Sequence, residues 1–248
     1  MGVAVESNTL LVIGGGVGGY TAAIRAAREG MRVRLIEKAE LGGTCLNEGC
    51  IPTKSLLHQA HQFKALRAAA ARGMGSISDR VNFAEVDAQK MAVVQQLVQG
   101  VQGLIRRNRI ELIRGTAEFV DAHTVRVRES GTLLRAGHIL IATGSQPVRP
   151  AVAGMDLPGV IDSSGALAMK ELPGSILVLG GGVVGVEFAQ IFSQFGVAVT
   201  LVESQDRLLA QEDPETVAVL QRQLLADGVM FHLGASVERI EVLSLIHI

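Results

Sequence analysis

The sequence predicts an α/β protein in which one strand–turn–helix–strand unit occurs twice. The first observation is a pair of glycine-rich turns, Gly14-Gly15-Gly16-Val17-Gly18-Gly19 and Gly180-Gly181-Gly182-Val183-Val184-Gly185, each entered from a short apolar run. The second is spacing. Glu37 follows Gly14 by 23 residues, and Glu203 follows Gly180 by the same 23. The third is composition: 48% hydrophobic, 19% charged, with 29 glycines in 248 residues, the balance of a soluble globular α/β protein rich in tight turns.

Each turn has the residues a dinucleotide needs. In the first, Gly14 permits the tight turn, Gly16 the close approach of a pyrophosphate, and Gly19 close helix packing. The helix N-terminus attracts the phosphates, and Glu37 can accept from a ribose hydroxyl. Gly180, Gly182, Gly185 and Glu203 repeat the pattern. Both units are therefore expected to be Rossmann-like.

Along the chain, a strand is expected over Thr9–Ile13, a helix over Tyr20–Glu29 stopped by Gly30, and a strand over Val33–Ile36. Helices are expected from about Thr53 to Ala71 and from about Phe83 to Arg107; the second has apolar residues every three or four positions. Short β segments are expected at Ile110–Ile113, Ala117–Val120, Thr124–Val127 and Leu133–Arg135. A buried strand starts at His138 and runs into Ala142-Thr143-Gly144, and Pro147 and Pro150 mark a linker. The second unit has strands at Ser175–Leu179 and Val199–Val202, around a helix that reaches Phe195 and is capped by Gly196. Asp213 and Pro214 open a further helix as N-cap and first-turn residue, and Gly228 ends it.

Between the two units lies Gly42-Gly43-Thr44-Cys45-Leu46-Asn47-Glu48-Gly49-Cys50-Ile51-Pro52-Thr53-Lys54, which holds both cysteines of the chain. This segment resembles the redox-active disulfide segment of the flavin-dependent pyridine nucleotide–disulfide oxidoreductases, and within that family it looks most like the dihydrolipoyl dehydrogenase branch. The resemblance implies a Cys45–Cys50 disulfide. Two residues five apart on a regular helix are separated by roughly 7.5 Å along its axis, and a disulfide rarely spans more than about 7 Å between Cα atoms. Such a bridge needs a distorted turn, for which Gly43 and Gly49 provide freedom. It would close a very small loop and so suits opening and closing better than stabilisation. Pro52 fits the first turn of a helix, which puts Cys50 at or just before its N-terminus with Lys54 one turn on; both features favour thiolate. A structural disulfide is disfavoured in a chain without a secretion signal. Zinc is disfavoured by the Cys spacing and by the lack of further ligands, and His58 and His61 read as surface or packing residues rather than a metal pair, with no third ligand in view.

Composition sets other bounds. A net charge of −1 gives no sign of nucleic acid or an anionic membrane as partner. No apolar run reaches the ~18 residues of a membrane span. The start has no signal-peptide pattern, and Met1-Gly2 lacks the Ser or Thr at position 6 that myristoylation prefers. A cytoplasmic location is the expectation, and there a cysteine pair is more often catalytic than structural.

The resemblance covers the chain to about Val242. It implies an FAD-binding domain over 1–146 with the redox disulfide, and an incomplete NAD-binding domain over 147–242. It implies that Gly14, Gly16 and Gly19 meet the FAD pyrophosphate, Glu37 and Lys38 the adenosine ribose side, Gly43, Thr44 and Lys54 the flavin, and Ala117 the adenine. Thr143, Gly144 and Ser145 close that site. Cys50 corresponds to the thiol beside the flavin and Cys45 to the one that meets substrate. Glu187 pairs with Lys54. Gly180, Gly182, Gly185, Glu187 and Glu203 form the NAD site, with Val237 near its adenine. The implied reaction passes electrons from dihydrolipoyl groups of a 2-oxoacid dehydrogenase complex to NAD⁺, in a homodimer. Three family features are not seen: a second FAD segment with its Gly-Asp, the C-terminal dimerisation domain, and the His-Glu acid/base pair. Residues 243–248 resemble the translation of a sequencing-library adapter, so the chain is expected to stop inside its second domain, as an inactive fragment. The rival enzymes, mercuric and glutathione-type reductases, use NADPH, whose 2′-phosphate Glu203 would repel; a soluble transhydrogenase would lack the cysteine pair. A noncatalytic FAD-binding module is the alternative for the fragment.

Overall fold

A computed structural model of the chain describes residues 7–78 and 81–242. The tail at 243–248 and the Met1-Gly2 start lie outside the described residues. The chain forms two compact units, residues up to 52 with 91–146, and 53–90 with those from 147 onward.

In the first unit, β1 (Thr9–Ile13), α1 (Val17–Arg28) and β2 (Arg32–Glu37) make the expected βα-β element, and α2 (Gly43–Asn47) follows; of the next two helices, α3 (Cys50–Ala71) belongs to the second unit from residue 53 on, and α4 (Phe83–Arg107) to the first from residue 91 on. The sheet adds β3 (Glu111–Arg114), and the chain then forms β4 (Ala117–Asp121), β5 (Thr124–Val127), β6 (Leu133–Arg135) and β7 (His138–Ile141). The parallel sheet has the order β3-β2-β1-β7, and β4-β5-β6 is a separate antiparallel sheet. β1 reads as a continuous apolar run because both of its faces are covered. On one face Val12, Val33 and Leu35 pack with Ala23 of α1 and with Val98 and Val101 of α4. On the other, Leu11, Ile13 and Ile36 pack under Val125, Val127 and Leu134.

β7 departs from the expectation of a buried strand. Among the described residues it pairs only with β1, at the edge of the sheet, and its last residue, Ile141, is exposed. Its apolar run reflects one covered neighbour rather than two.

The second unit contains α5 (Ser163–Ala168), β8 (Ser175–Leu179), α6 (Val183–Gln194), β9 (Ala198–Glu203), α7 (Pro214–Ala226) and β10 (Met230–Leu233). Its parallel sheet has the order β10-β9-β8. Val199 and Leu201 pack with Ala189, Phe192 and Leu224, joined by Leu56 and Ala60 of α3. Asp213 caps α7, its side chain accepting from Thr216 N–H at 2.9 Å. α5 and β10 had no clear signal in the sequence. α5 is a six-residue helix held by Asp162, which accepts from Gly165 N–H at 2.9 Å; β10 is four residues long and owes its place to pairing with β9.

A buried ion network was also not anticipated. Lys90, 3% exposed, donates to Asp87 at 2.5 Å and to the Leu167 carbonyl, while Lys170 reaches the other Asp87 oxygen at 2.6 Å. Burial pushes the Asp87 carboxyl up, but the bonds from Lys170 and Lys90 outweigh it and leave it below the ordinary carboxylate value. The stability it contributes is therefore complete above that ordinary value and lost as pH falls through the lowered one. Asp87→Asn leaves Lys90 buried without its counter-charge, and should cost about 3–5 kcal/mol at neutral pH. The loss should shrink below about pH 4; urea unfolding at the two pH values measures both.

A second expectation contrasts neighbouring glycines. A Cβ on Gly19 would lie 1.8 Å from the Gly14 carbonyl oxygen, whereas one on Gly18 meets nothing within 4 Å. Gly19→Ala should destabilise by about 1–3 kcal/mol, and Gly18→Ala should stabilise by about 0.5–1 kcal/mol, read by the shift in urea midpoint.

Candidate redox and dinucleotide sites

The first glycine turn is shaped by contacts on both sides. Gly14 has φ +103°, and a Cβ there would fall 2.2 Å from the carbonyl oxygen of Ala142, just beyond β7. Gly16 is the extended N-cap of α1, and its carbonyl accepts from Tyr20 N–H at 2.9 Å. Glu37, at the end of β2, turns back. Its two oxygens accept from Gly15 N–H at 2.6 Å and from Ala39 N–H at 2.7 Å. A carboxylate has about four acceptor positions, so a ribose hydroxyl can still be received. Lys38 beside it is exposed, Ala117 opens β4 half-buried, and Thr143, Gly144 and Ser145 lie exposed beyond β7.

The cysteine segment is joined to this turn. Gly42 N–H donates to the Gly15 carbonyl at 2.8 Å, and Gly16 and Gly42 form a β-bridge. Gly43 sits so close that a Cβ on it would be 2.6 Å from the Gly16 Cα. Gly43 and Thr44 then begin α2, a short helix that carries Cys45 and that the sequence reading did not foresee. Glu48 and Gly49 break the helical path, and Cys50 is the first residue of α3. Gly49 serves by closeness rather than by freedom of φ, since a Cβ there would lie 2.9 Å from the Thr44 carbonyl oxygen. Cys45 is half-buried and Cys50 is exposed. Gly42 was not singled out in the sequence; its signal was the Gly42-Gly43 dipeptide, and its φ is +101°.

The second turn repeats the first. Gly180 also has φ +103°, Gly182 is the extended N-cap of α6, and a Cβ on Gly185 would lie 2.0 Å from the Gly180 carbonyl oxygen. Glu203 accepts from Gly181 N–H at 2.6 Å, Gln205 N–H at 2.7 Å and the Ser204 hydroxyl at 3.0 Å. Burial raises its carboxyl, but the backbone bonds from Gln205 and Gly181 prevail and hold it below the ordinary value. It is thus an anion at neutral pH. Arg207, the first cation after it, is turned away to the carbonyls of Ala210 and Glu212. Val237 lies half-buried on a segment tied back to β9, where Ala235 N–H donates to the Glu203 carbonyl at 3.0 Å. In the same unit Lys54 Nζ donates to Glu187 Oε1 at 2.6 Å, with Lys54 the more exposed partner.

Residues 8–245 match the profile of the family described as Pyridine nucleotide-disulphide oxidoreductase. The chain belongs to that family. It is similar to a dihydrolipoyl dehydrogenase of Bacillus subtilis (strain 168), 42% identical over 239 residues, covering 94% of this chain and 52% of that protein. A dihydrolipoyl dehydrogenase of Geobacillus stearothermophilus is 38% identical over 234 residues, covering 91% of this chain and 48% of that one. Among solved structures, the Cu(II) complex of the HOCl-induced flavoprotein disulfide reductase RclA from Escherichia coli matches with a TM-score of 0.82 at 38% identity, covering 94% of this chain and 50% of that one. The chain spans about half the length of the relatives it matches.

FAD and NAD are the cofactors of this oxidoreductase family, and the two turns fit such groups. A Cβ on Gly16 would have its nearest neighbour at 3.6 Å, and one on Gly182 would meet nothing within 4 Å, so each helix start offers its N–H groups to open space. No described helix of this family member is long and apolar enough to cross a membrane.

The exposure of the two thiols sets their order of reaction. Iodoacetamide should modify Cys50 before Cys45, read by peptide mass spectrometry during a time course. Equal rates at the two sites would contradict the observed difference in access.

Proposed function

We propose that the whole protein is an NAD-linked flavoprotein disulfide oxidoreductase that oxidises dihydrolipoyl groups of a 2-oxoacid dehydrogenase complex. The observation that carries the reading is the junction of Gly42 and Gly43 with Gly15 and Gly16, which sets a two-cysteine hinge directly beside a dinucleotide turn.

In this reading Gly14, Gly16, Gly19, Glu37 and Lys38 hold the adenosine diphosphate part of FAD, with Ala117, Thr143, Gly144 and Ser145 at its margin. Gly180, Gly182, Gly185, Glu203 and Val237 hold NAD. Lys54, bonded to Glu187, adds a positive charge on the helix that begins at Cys50. The residues' own chemistry is thiol–disulfide exchange. With Cys45 and Cys50 bridged, a substrate thiolate attacks the Cys45 sulfur and Cys50 leaves as thiolate. The second substrate sulfur then displaces Cys45, so the substrate dithiol becomes a disulfide and the protein pair becomes two thiols. FAD, when bound, relays those two electrons to NAD⁺. A homodimer, a lipoyl-bearing partner and a cytoplasmic location belong to the same reading. The 248-residue chain alone has no His-Pro acid/base motif and is proposed to retain flavin weakly and to show no turnover.

A second reading has a specific support: the RclA structures match at 37–38% identity, close to the dihydrolipoyl dehydrogenases. The substrate of the whole protein would then be a different oxidant or disulfide, with the same cysteine hinge.

The test is turnover of the whole protein with dihydrolipoamide and either NAD⁺ or NADP⁺. Activity with NAD⁺, lost in Cys45→Ser and in Cys50→Ser, is expected; reduction of Cu(II) without dihydrolipoamide oxidation would favour the second reading. Glu203 should set coenzyme choice, because an anion there opposes a 2′-phosphate. Glu203→Gln should move the NADP/NAD ratio of kcat/KM by about 1–3 kcal/mol, or about 5- to 150-fold. Equal use of both coenzymes by the wild type would remove this role.

A further inference from the structure

The chain has 23 basic and 24 acidic residues, yet one pole of the first unit gathers six exposed arginines: Arg25, Arg28, Arg32, Arg106, Arg107 and Arg109. They come together because α1 and α4 end side by side. Arg28 Nε, in the last turn of α1, donates to the Asn108 side chain just beyond α4 at 3.3 Å. Asn108 itself donates to the Leu104 carbonyl at 2.8 Å, and Arg109 N–H donates to the Arg106 carbonyl at 3.0 Å, so the end of α4 is folded tightly at this contact. The sheet aligns the rest. Arg34 of β2 is level with Glu111 of β3, so Arg32 and Arg109, each two residues earlier, stand at the same end of two adjacent strands.

Helix ends explain only part of this charge. Each C-terminus carries roughly half a negative charge, and the two draw cations to their last turns. The acids beside them are Glu29 and Glu111, both exposed. Glu29 is taken by Arg25 at 2.7 Å. Arg28, Arg106, Arg107 and Arg109 form no ion pair with a described residue. Guanidinium groups held this close repel one another, and an anion laid across them relieves the repulsion. Their planar fork binds a carboxylate through two parallel N–H bonds.

Anionic partners differ in what else they require. An anionic membrane needs apolar side chains among the cations, and the large exposed apolar residues of this unit include none over 25–32 or 104–111. Single-stranded nucleic acid needs aromatic side chains to stack its bases, and the same stretches hold none. A duplex presents an unbroken row of phosphates, which would meet Glu29 and Glu111 as well. Side-chain carboxylates on a polypeptide can be placed singly and avoid both acids.

We propose that this pole is a docking surface for an acidic segment of a partner protein, whose carboxylates bind Arg28, Arg106, Arg107 and Arg109. Thr9 is level with Arg32, so the five residues of β1, about 16 Å of strand, separate the surface from the Gly14 turn. The surface therefore lies outside the dinucleotide and cysteine sites and is independent of the redox reading.

The experiment is fluorescence anisotropy of a labelled oligoglutamate peptide titrated with the full chain. Binding is expected at low salt and should weaken at least tenfold at high salt, where exposed charges are screened. Arg106→Glu with Arg107→Glu and Arg109→Glu should lower the affinity at least tenfold. Arg72→Glu with Arg126→Glu and Arg222→Glu makes the same change in net charge at other exposed arginines and should lower it less than threefold. If the first set also lowers the unfolding midpoint, Arg→Gln at the same three positions supplies the comparison. The proposal is overturned by equal losses in the two sets, by no peptide binding at low salt, or by tighter binding of a duplex oligonucleotide or of phosphatidylserine vesicles than of the peptide.

Discussion

The bond from a strand-end carboxylate to the second glycine amide of the turn is the constraint on which both units depend. In the first unit it joins Glu37 to Gly15, in the second Glu203 to Gly181, at 2.6 Å in each. A charged acceptor makes such a bond about twice as strong as a neutral one. It fastens the end of the second strand to the turn between the first strand and its helix. The turn is thereby held open at Gly16 and Gly182, with the helix N–H groups aimed outward. The second carboxylate oxygen binds the next loop, at Ala39 and at Gln205. One side chain thus sets the mouth of each site, and the acid a ribose would meet is also the one that shapes the turn.

The cysteine segment depends on the first of these mouths. Gly15 uses its N–H for Glu37 and its carbonyl for Gly42, so the same residue links strand, turn and cysteine segment. Leu41, fully buried, lies where a side chain on Gly15 would be. From there the chain has room only for the brief α2 before Gly49 presses on the Thr44 carbonyl and α3 starts at Cys50. The interrupted helix brings Cys45 and Cys50 to the two sides of one break, which a continuous helix would not do. The second unit has Leu208 and Leu209 in the corresponding places, with Leu209 N–H donating to the Gly181 carbonyl at 2.9 Å, and no cysteine follows. The same scaffold is followed by a cysteine pair once and by none the second time.

Much of this was legible in the residues. The paired glycine turns with their acids, the helices α1, α3, α4, α6 and α7, and nearly every strand follow from local pattern, because glycine spacing, apolar periodicity and the Asp213-Pro214 cap act within a few residues. The Cys-x4-Cys segment was equally plain. Three things depended on tertiary contact. β7 reads as buried but is an edge, because an apolar run reports hydrophobicity and not how many neighbours a strand has. Asp87, Lys90 and Lys170 carried no sequence signal of an ion network, since Lys170 meets Asp87 from 83 residues away. Leu11 and Leu177 occupy the same place in the same repeat, yet one is buried and the other open. The strand sequence determined which face each leucine takes; whether a second layer lies over that face is decided by chain more than 100 residues away, since Leu11 is covered by Val125.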